Sequence, residues 1–401
     1  MTPIEHSRHL RVILSVNCGS SSLKYALYPV LSDGVGEALH TATIEGSLSE
    51  AQQPSGDAFG RALRVLDQII HELGPVDILA VAHRIVHGGE RFTVPVRLDA
   101  AAMSALAQLS GLAPLHQPHN LDGVRRFEAH WPGVPQIGCF DTAFHATLPE
   151  VEYRFALPDS LYKQGIRRFG FHGLSYEFVI GRLQALTPRA QGRVLAFHLG
   201  NGASACAIQQ GRSVATSMGF SALDGLVMGS RSGSLDPGVL LHLMRQGWGV
   251  DRLEAVLYKE SGLRGLSGVS ADMRTLHAST DPKAKLAIDV FVHRAIREAG
   301  ALIACMGGVD VVAFTGGIGE HDAVVRAAIV QGMSYLGVRC AAQANEQLPS
   351  KGEGPIHADD SVVELWVVPT DEGRVAARGA AAVLKAFNVA GGAYGGTVPM
   401  S

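Results

Sequence analysis

Two arginines lie in segments of this chain that are otherwise apolar and rich in glycine. Arg84 occurs in AHRIVHGG and Arg231 in VMGSRSGSLDPG. A guanidinium beside a glycine-rich backbone can bind a carboxylate or a phosphate through two parallel hydrogen bonds. We therefore interpret both arginines as candidates to hold an anionic acceptor and the group transferred to it. For either arginine alone, an internal ion pair that stabilises a loop explains the pattern equally well.

A carboxylate and an imidazole occur in similar surroundings. Asp141 lies in CFDTAFH, where a predicted strand ends, and His172 lies in RFGFHGLS beside Gly173. Asp141 could orient an acceptor, and His172 could stabilise the charge that develops during a transfer. The chain has 17 histidines, and a buried histidine more often reflects local hydrogen bonding. His172 is therefore a candidate only together with its neighbours.

Three glycine-rich turns, each preceded by an apolar run, are the elements that would position these groups. VILSV continues into NCGSSSLK at 12–24, VLAFH into LGNGAS at 194–204, and VDVVAF into TGGIGE at 309–320. Such turns present backbone N–H groups, and glycine lets them approach an anion closely. Three of them in one chain indicate a bound polyphosphate, which makes nucleotide chemistry the first hypothesis.

The first two turns share a pattern that is typical of a β-hairpin. A second alternating run follows each turn, LKYALYP after the first and ACAIQQGRSVA after the second. The two copies, which begin near Asn17 and Asn201, are spaced as expected of two similar domains in tandem. A cleft between those domains would bring both hairpins to one ligand.

Two commoner kinds of phosphate site compete with this hypothesis. The motif GxxxxGK[ST] does not occur in the sequence, which argues against a P-loop enzyme. GNGASA at 200–205 matches the loose dinucleotide fingerprint, but that fingerprint requires a helix directly after the glycines. The following residues 203–209 look extended, so the sequence disfavours a Rossmann site for a nicotinamide cofactor.

Length and composition restrict the class of protein. A chain of 401 residues with 47% hydrophobic residues is longer than a single hydrophobic core usually supports. This length suggests two domains of about 150 to 200 residues. A net charge of −3 gives no basic footprint for nucleic acid, so a small molecule is the expected partner. The five cysteines lack metal or disulfide spacing and fit a reducing cytosol. No signal core or membrane span is predicted, so we expect a cytoplasmic protein.

The alternation of strands and helices predicts an α/β fold with a mixed sheet in each domain. We expect the first domain over residues 1–150 and 373–401, because the final helix could return to it, and the second over residues 151–372. The predicted strands are 11–17, 38–44, 76–86, 135–140, 309–314 and 362–368, with another from Val194. The predicted helices are 99–110, 118–130, 237–246, 250–261, 282–306 and 372–387, with another that carries Phe59, Leu63, Leu66, Ile70 and Leu73 on one stripe.

Taken together, these segments resemble the signature blocks of the acetate kinase family. The blocks are NCGSSSLKYAL, AHRIVHGG, FDTAFH, RFGFHG, HLGNGAS, TSMGF…LDGLVMGSRSG, FTGGIGE and VPTDEGRVAAR, in order from residue 15 to 378. The resemblance implies two related ribonuclease H-like domains of the actin-like ATPase type that close on ATP across a cleft, usually in a homodimer. It implies the reversible reaction of acetate and ATP to acetyl phosphate and ADP, by direct, in-line, magnesium-dependent transfer.

The resemblance also implies roles at matching positions. Asn17 and Glu372 would serve Mg²⁺ or Mn²⁺. Arg84, Val86 and Arg231 would bind the acyl substrate and phosphoryl oxygens, while Asp141 would act on the acceptor side and His172 on the transition state. The nucleotide and its phosphates would contact Ser20, Ser22, Lys24, His198, Asn201, Gly202, Asp272, Arg274, Gly317 and Ile318.

The acyl chain length stays open at this point. Val86 resembles the residue that walls the pocket for the acyl methyl group, and a branched side chain suits acetate better than propionate or butyrate. One methylene changes selectivity by only about 10- to 200-fold, so a propionate or butyrate kinase is the alternative. An actin-like or chaperone-like ATPase is a further alternative, although nothing resembles an appended substrate domain.

Two positions depart from the family blocks, and one segment has a second interpretation. Ser234 stands where the block RSGD has an acid, which removes a carboxylate that could order the loop of Arg231. His321 follows GIGE where Asn is usual, which could alter the nucleotide preference. The segment SADMR also fits a helix start, with Ser270 as the cap and Asp272 in the first turn.

Overall fold

The computed structural model describes residues 9–19, 22–45, 58–114, 116–348 and 352–389. The chain divides into two compact units, Met1–Ala143 with Asp371–Ser401, and Phe144–Thr370. The predicted domain boundaries lie at 150/151 and 372/373. Each unit contains its own mixed β-sheet, which confirms the predicted α/β class. The assignment of the two units as related domains stays a prediction.

The first unit is built on a sheet with three parallel strands at its centre. Its described strands are β1 (Leu10–Cys18), β2 (Ser22–Leu31), β3 (Gly34–Val35), β4 (His40–Glu45), β5 (Val76–Ile85), β6 (Val96–Arg97) and β7 (Gln136–Phe140). The order is β3-β2-β1-β5-β7-β6, and β4 also pairs with β2. β1, β5 and β7 are parallel, whereas the β1–β2, β2–β4 and β6–β7 pairs are antiparallel. The carboxyl ends of β1, β5 and β7 therefore meet at one edge.

Within the described part of the first unit, four helices pack around this sheet. They are α1 (Ala58–Glu72), α2 (Ala100–Gln108), α3 (Gln117–His130) and, from the end of the chain, α15 (Glu372–Val389). α15 packs on β1, β5 and β7. Phe59, Leu63, Leu66 and Ile70 are buried in the core as the stripe predicted, but Leu73 lies beyond α1 and is exposed.

The second unit repeats the strand, hairpin and strand arrangement. Its described strands are β8 (Arg193–Leu199), β9 (Ala203–Gln209), β10 (Arg212–Thr216), β11 (Val311–Thr315), β12 (Gly354–Pro355) and β13 (Glu364–Val367). The order is β10-β9-β8-β11-β13-β12. β8, β11 and β13 are parallel, while β8 with β9 forms an antiparallel hairpin. Hairpins at β1–β2 and β8–β9 confirm the prediction for the first two glycine-rich turns.

The helices of the second unit vary greatly in length. They are α4 (Glu150–Tyr153), α5 (Asp159–Tyr162), α6 (Gly173–Leu186), α7 (Pro237–Arg245), α8 (Val250–Ala255), α9 (Gly262–Ser267), α10 (Met273–Ala278), α11 (Pro282–Met306), α12 (Gly316–His321), α13 (Ala323–Gly332) and α14 (Ala342–Gln347). α11 begins at an Asp281 cap with Pro282 in its first turn and ends at Gly307 in a left-handed conformation. Among the described residues, no helix combines the length and apolarity that a bilayer span requires.

Seven of these helices have no counterpart in the sequence prediction, namely α4, α5, α6, α9, α12, α13 and α14. α6 is buried around most of its circumference, so its sequence GLSYEFVIGRLQAL lacks the one-sided pattern of an amphipathic helix. The glycine-rich segment TGGIGE does not form a hairpin but opens directly into α12, and α13 follows it. The stretch 345–360, expected as a loop, includes the end of α14 and β12.

Close packing of α3 on the end of β1 generates a stability prediction. An added methyl group at Gly123 would lie 2.5 Å from Sγ and 2.8 Å from Cβ of Cys18. We expect Gly123→Ala to lower the free energy of unfolding by about 1 to 3 kcal/mol, because the site is already filled. Gly181→Ala in α6 is the matched control, since nothing lies within 4 Å of its added carbon. Urea unfolding of both variants measures the difference, and equal effects would contradict this packing.

Candidate active site

An ion-paired arginine lies at the strand edge of the first unit. Arg84 is the last residue but one of β5, and Asp141 directly follows the adjacent parallel strand β7. The Arg84 Nε lies 2.9 Å from Asp141 Oδ1, and its Nη2 lies 2.6 Å from Oδ2. Nη1 lies 3.3 Å from Glu372 Oε2. The structure thus brings together three predicted site residues from distant parts of the sequence.

Burial and charge act in opposite directions on Arg84. Burial disfavours the cation, but Asp141 and then Glu372 outweigh it and hold the pKa of Arg84 above its ordinary value. The side chain of Asp141 is 2% exposed and that of Arg84 21% exposed. The internal ion pair that the sequence left open is therefore present, and a role of Arg84 in binding an anion stays a prediction.

Two buried amides of α3 hold the segment that follows β5. Asn120 Oδ1 accepts from the Val86 N–H at 3.0 Å, and its Nδ2 donates to the Cys18 carbonyl at 2.7 Å. Gln117 Oε1 accepts from the His87 N–H at 3.3 Å, and Gln117 Nε2 donates to the His87 carbonyl at 3.0 Å. Asn120 therefore ties the first glycine-rich turn to the half-buried Val86. Sequence reasoning missed both amides, and their only signal was one uncharged polar residue directly before the predicted helix 118–130 and one within it.

The predicted site residues of the first glycine-rich turn differ in their exposure to solvent. Asn17 is half-buried near the end of β1, opposite the exposed Lys24 of β2, and Ser22 is half-buried. Gly19 closes the turn by donating its N–H to the Ser22 carbonyl at 2.9 Å. Ser20 lies outside the described residues.

Glu372 is positioned by the residue before it. The Tyr28 hydroxyl donates to Asp371 Oδ1 at 2.5 Å, and that oxygen also accepts from the Arg374 N–H at 2.9 Å. Asp371 therefore fixes the start of α15, where Glu372 is the first residue. The proposed metal-binding roles of Asn17 and Glu372 are tested by none of these contacts and stay predictions.

Two stacked histidines form the centre of the second unit's site. The rings of His172 and His198 lie 4.1 Å apart at an angle of 21°. The Nδ1 of His172 lies 2.8 Å from Ser204 Oγ, and the Nδ1 of His198 lies 2.8 Å from Ser175 Oγ. His172 has a φ of 59°, an unusual left-handed value for a residue other than glycine. Each ring is thus oriented through its Nδ1 by a serine.

Arg231 and His172 converge on the turn between β8 and β9. A Cβ built on Gly202 would lie 2.7 Å from Arg231 Nη2 and 3.3 Å from His172 Nε2. The Arg231 Nη1 donates to the Ala222 carbonyl at 2.6 Å, which fixes the guanidinium. Glycine at position 202 therefore lets a cation and an imidazole approach the main chain together.

Asn201 is held by the loop that carries Arg231. Its carbonyl accepts from the Gly229 N–H at 3.0 Å. A Cβ at Gly229 would overlap with Asn201 Oδ1, so this approach also requires glycine. The second turn and the Arg231 loop therefore form one assembly.

Position 234, where the family block has an acid, carries a serine that forms hydrogen bonds within the loop. Ser234 Oγ donates to Asp224 Oδ1 at 2.7 Å and accepts from the Gly225 N–H at 3.1 Å. Asp224 also accepts from the Gly225 N–H at 2.8 Å. The loop is therefore closed by a hydroxyl and a nearby carboxylate.

The third glycine-rich segment is organised by two charged residues. Glu320 Oε1 accepts from the Gly316 N–H at 2.9 Å and from the Thr370 N–H at 3.3 Å. Arg326, 2% exposed, donates to the carbonyls of Gly319 at 3.0 Å and Glu320 at 2.9 Å. Gly317 and Ile318 lie between these anchors in α12. Nothing in the sequence identified Arg326 as the support of this helix.

The segment SADMR starts a helix, but its cap differs from the prediction. Asp272, not Ser270, is the N-cap of α10, and it accepts from the Arg274 N–H at 2.9 Å. The guanidinium of Arg274, 91% exposed, pairs with Asp272 Oδ2 at 2.6 Å. That hydrogen bond is the main cause of the lowered pKa of Asp272. Contacts of this pair with a nucleotide stay a prediction.

The mixed sheets, and the convergence of an arginine and a histidine on glycine-rich main chain, fit a kinase that acts on a small molecule. The model of the acetokinase family matches residues 12–378, and the chain belongs to this family. It is 46% identical to an acetate kinase of Rhodopseudomonas palustris over 92% of this chain and 97% of that protein. It is 41% identical to an acetate kinase of Methylocella silvestris, over 93% and 98%. The predicted family is thereby confirmed, and it favours an acyl kinase over an actin-like ATPase.

Solved structures of the family have the same fold. A crystal structure of the acetate kinase from Porphyromonas gingivalis superimposes with a TM-score of 0.82 at 36% identity, covering 93% of this chain and 100% of that chain. A propionate kinase from Francisella tularensis superimposes with a TM-score of 0.81 at 33% identity, covering 92% and 99%.

A buried histidine behind the site generates a prediction about pH. His145 Nε2 donates to the Phe171 carbonyl at 2.9 Å, and its Nδ1 lies 2.8 Å from Ser213 Oγ. Burial lowers the pKa of His145 from 6.5 to about 4. The unfolded chain therefore binds more protons between these values, so the contribution of this group to stability is complete above pH 6.5 and decreases as the pH falls towards 4.

We expect His145→Gln to reduce the slope of the free energy of unfolding against pH in this interval by up to about 1.4 kcal/mol per pH unit. Urea unfolding at several pH values between 4.5 and about 7 measures the slope. His242→Gln, which removes an exposed imidazole, is the control. An unchanged slope for His145→Gln would show that His145 takes up its proton in the folded protein.

Proposed function

We propose that the protein is a short-chain acyl kinase that transfers a phosphoryl group reversibly between ATP and acetate. The observation that carries this proposal is the convergence of the Arg231 guanidinium and the His172 imidazole on the main chain of Gly202. A transferring phosphoryl group spreads negative charge over three equatorial oxygens, and a cation, an imidazole and nearby N–H groups match that distribution. Membership of the acetokinase family supports the acceptor class.

The transfer needs little covalent work from the protein. An acetate oxygen forms a bond to the γ-phosphorus, the bond from that phosphorus to the bridging oxygen breaks, and its electron pair leaves with ADP. No proton has to be removed, because the acceptor is already a carboxylate. Catalysis therefore depends on alignment and on charge around the phosphoryl oxygens.

Arg84 is proposed to bind the acceptor carboxylate. Asp141 holds two nitrogens of its guanidinium in a fixed plane, so the remaining edge keeps one orientation while acetate binds. Glu372 lies near that edge and offsets part of the positive charge. Arg231 and His172 then act on the phosphoryl group, and Asp141 is a positioning residue for Arg84.

The nucleotide is proposed to contact the glycine-rich turns and their neighbours. Main-chain N–H groups at such turns suit phosphate oxygens, and polar side chains around them suit the ribose and the phosphate chain. The proposed contacts are Ser20, Ser22, Lys24, His198, Asn201, Gly202, Asp272, Arg274, Gly317 and Ile318.

Asn17 and Glu372 fit a hydrated magnesium ion through the chemistry of their donors. Mg²⁺ keeps most of its water ligands beside a nucleotide, so one amide oxygen and one carboxylate are sufficient, and Mn²⁺ accepts the same donors. When bound, the ion would neutralise part of the charge on the phosphate oxygens. Within the described part of the chain, no group of three or more His, Cys, Asp or Glu side chains could hold a metal alone.

We also propose a homodimer in a reducing compartment. The family resemblance supports the dimer. Leu241 and Met244 of α7 and Val250 at the start of α8 are exposed apolar residues, which a partner subunit could cover. The cysteines are free, and Cys18, Cys139 and Cys206 are buried, which fits a location that does not require disulfides.

Propionate is the second candidate acceptor. The propionate kinase of Francisella tularensis has nearly the same structural similarity as the acetate kinase of Porphyromonas gingivalis. The half-buried Val86 follows β5 beside Arg84, where its branched side chain would limit the acyl chain.

The function is tested by trapping acyl phosphate with hydroxylamine after incubation with MgATP and acetate. We expect acetyl hydroxamate from the wild type and a loss of about 10³-fold or more in kcat/KM for Arg231→Ala, because the variant lacks a cation at the phosphoryl group. Arg339→Ala is the control, since Arg339 forms an exposed ion pair with Asp360 at 2.7 Å. No hydroxamate with any acid of two to four carbons would refute the acyl kinase proposal.

The acceptor pocket is tested by Val86→Ala. We expect the ratio of kcat/KM for propionate to that for acetate to rise by about 10-fold or more, because the smaller side chain leaves room for one methylene. Coupled assays with acetate, propionate and butyrate measure the ratio. Val94→Ala, at an exposed position of the same unit, is the control. An unchanged ratio would remove Val86 from the acyl pocket.

A further inference from the structure

A chain of three buried side chains runs away from the active-site face of His172. Tyr176 and Ser204 are fully buried, and His172 is 8% exposed. The Tyr176 hydroxyl contacts Ser204 Oγ, which lies 2.8 Å from His172 Nδ1. Tyr176 lies one helical turn after His172 in α6, and its N–H donates to the His172 carbonyl at 3.1 Å. The proposed function of His172 uses neither of the other two groups.

The direction of these hydrogen bonds follows from the donors and acceptors. Burial raises the pKa of Tyr176, so the phenol keeps its proton and has to donate it. Ser204 Oγ is the side-chain partner of the phenol oxygen, and a bond donated from Ser204 to the phenol would leave the phenol proton without an acceptor in this chain of contacts. The phenol proton is then donated to Ser204.

Ser204 must pass on a proton of its own. Its hydroxyl has one hydrogen, and within the described residues its hydrogen-bonding side-chain partners are Tyr176 and His172. Because Tyr176 donates to it, donation from His172 as well would leave the buried serine proton without an acceptor in this chain of contacts, which is unfavourable for a buried donor. Ser204 therefore donates to His172 Nδ1.

The same arrangement occurs at a second histidine of this unit. His145 Nε2 contacts the Phe171 carbonyl, which can only accept, so that nitrogen carries the proton. Its Nδ1 must then accept from the Ser213 hydroxyl. A serine that donates to a histidine Nδ1 is thus a feature that this unit already uses to fix a neutral tautomer.

We propose that Tyr176 and Ser204 are positioning residues that hold His172 in the tautomer with its proton on Nε2, directed at the main chain of Gly202. This inference rests on the proposed function, because it explains how His172 donates a hydrogen bond to the phosphoryl group. The imidazole would otherwise exchange between two tautomers, and one of them presents a lone pair to a phosphate oxygen. The stack with His198 fixes the plane of the ring, and the serine fixes its proton.

The proposal is tested by nitrogen NMR of the full chain with ¹⁵N-labelled histidine. The signals of His172 are identified by their loss in His172→Gln. In the wild type at neutral pH we expect an unprotonated Nδ1 and a protonated Nε2. In Tyr176→Phe and Ser204→Ala we expect a mixture of both tautomers, because the donor chain is broken. A protonated Nδ1 in the wild type, or an unchanged tautomer in both variants, would overturn the proposal.

Kinetics provide an independent readout. We expect both variants to lower kcat by about 10- to 100-fold, as when outer partners of a ligand histidine are removed, with little change in KM for acetate or ATP. Tyr176→Phe keeps the buried aromatic ring, so we expect this variant to fold. Tyr25→Phe is the matched control, because the buried Tyr25 hydroxyl has no hydrogen-bond partner in the described part of the chain.

The kinetic and spectroscopic results separate two failures. A wild type that makes no acyl phosphate, but shows the expected tautomer, would refute the acyl kinase and keep the positioning of His172. An active wild type whose two variants retain full kcat would refute the positioning role and keep the acyl kinase.

Discussion

The buried carboxylate of Asp141 constrains the site of the first unit more than any other group. A carboxylate that is 2% exposed needs a counter-charge, and loss of one partner of such a pair is unfavourable by about 3 to 5 kcal/mol. Arg84 therefore has to lie on the adjacent strand, in the register that the sheet imposes. The orientation of its guanidinium, and the approach of Glu372 to it, follow from that requirement. Removal of Arg84 would combine loss of stability with loss of function, which makes Arg231 the cleaner residue for a functional test.

In the second unit, hydrogen bonds to uncharged groups help to orient the residues proposed to act on the phosphoryl group. Arg231 is held by the Ala222 carbonyl, and His172 by a serine hydroxyl. Both of these contacts are hydrogen bonds to uncharged groups, unlike the ion pair that orients Arg84. Glycine at 202 and 229 removes the side chains that would otherwise separate these groups from the main chain. An ion pair thus orients Arg84, where the acceptor is proposed to bind, and hydrogen bonds to uncharged groups help to orient Arg231 and His172, where the phosphoryl group is proposed to pass.

The sequence predicted the elements that have a simple periodicity and missed those that depend on distant partners. Alternating residues after the first two turns identified both hairpins, and apolar runs located Arg84 and Asp141 at strand ends. The sequence analysis did not predict α6, because this helix is apolar on nearly all sides. It did not predict α12, because the glycines of this helix are also typical of turns. The roles of three buried residues depend on contacts that the fold creates. Asn120 and Ser204 contact segments that are remote in sequence. Arg326 contacts the main chain of the neighbouring helix α12. No local pattern encodes such a pairing.

Ser234 and Asp224 illustrate how a departure from a motif has to be interpreted in three dimensions. Considered alone, Ser234 removes the carboxylate of the family block and with it a possible constraint on the loop of Arg231. In the structure the serine hydroxyl donates to Asp224, ten positions earlier in the chain. An acid at 234 would place a second carboxylate against Asp224, and two such groups at hydrogen-bond distance repel unless one is protonated. The serine and the aspartate therefore have to be considered as a pair, because the hydroxyl supplies the donor that closes the loop without a second negative charge near Arg231.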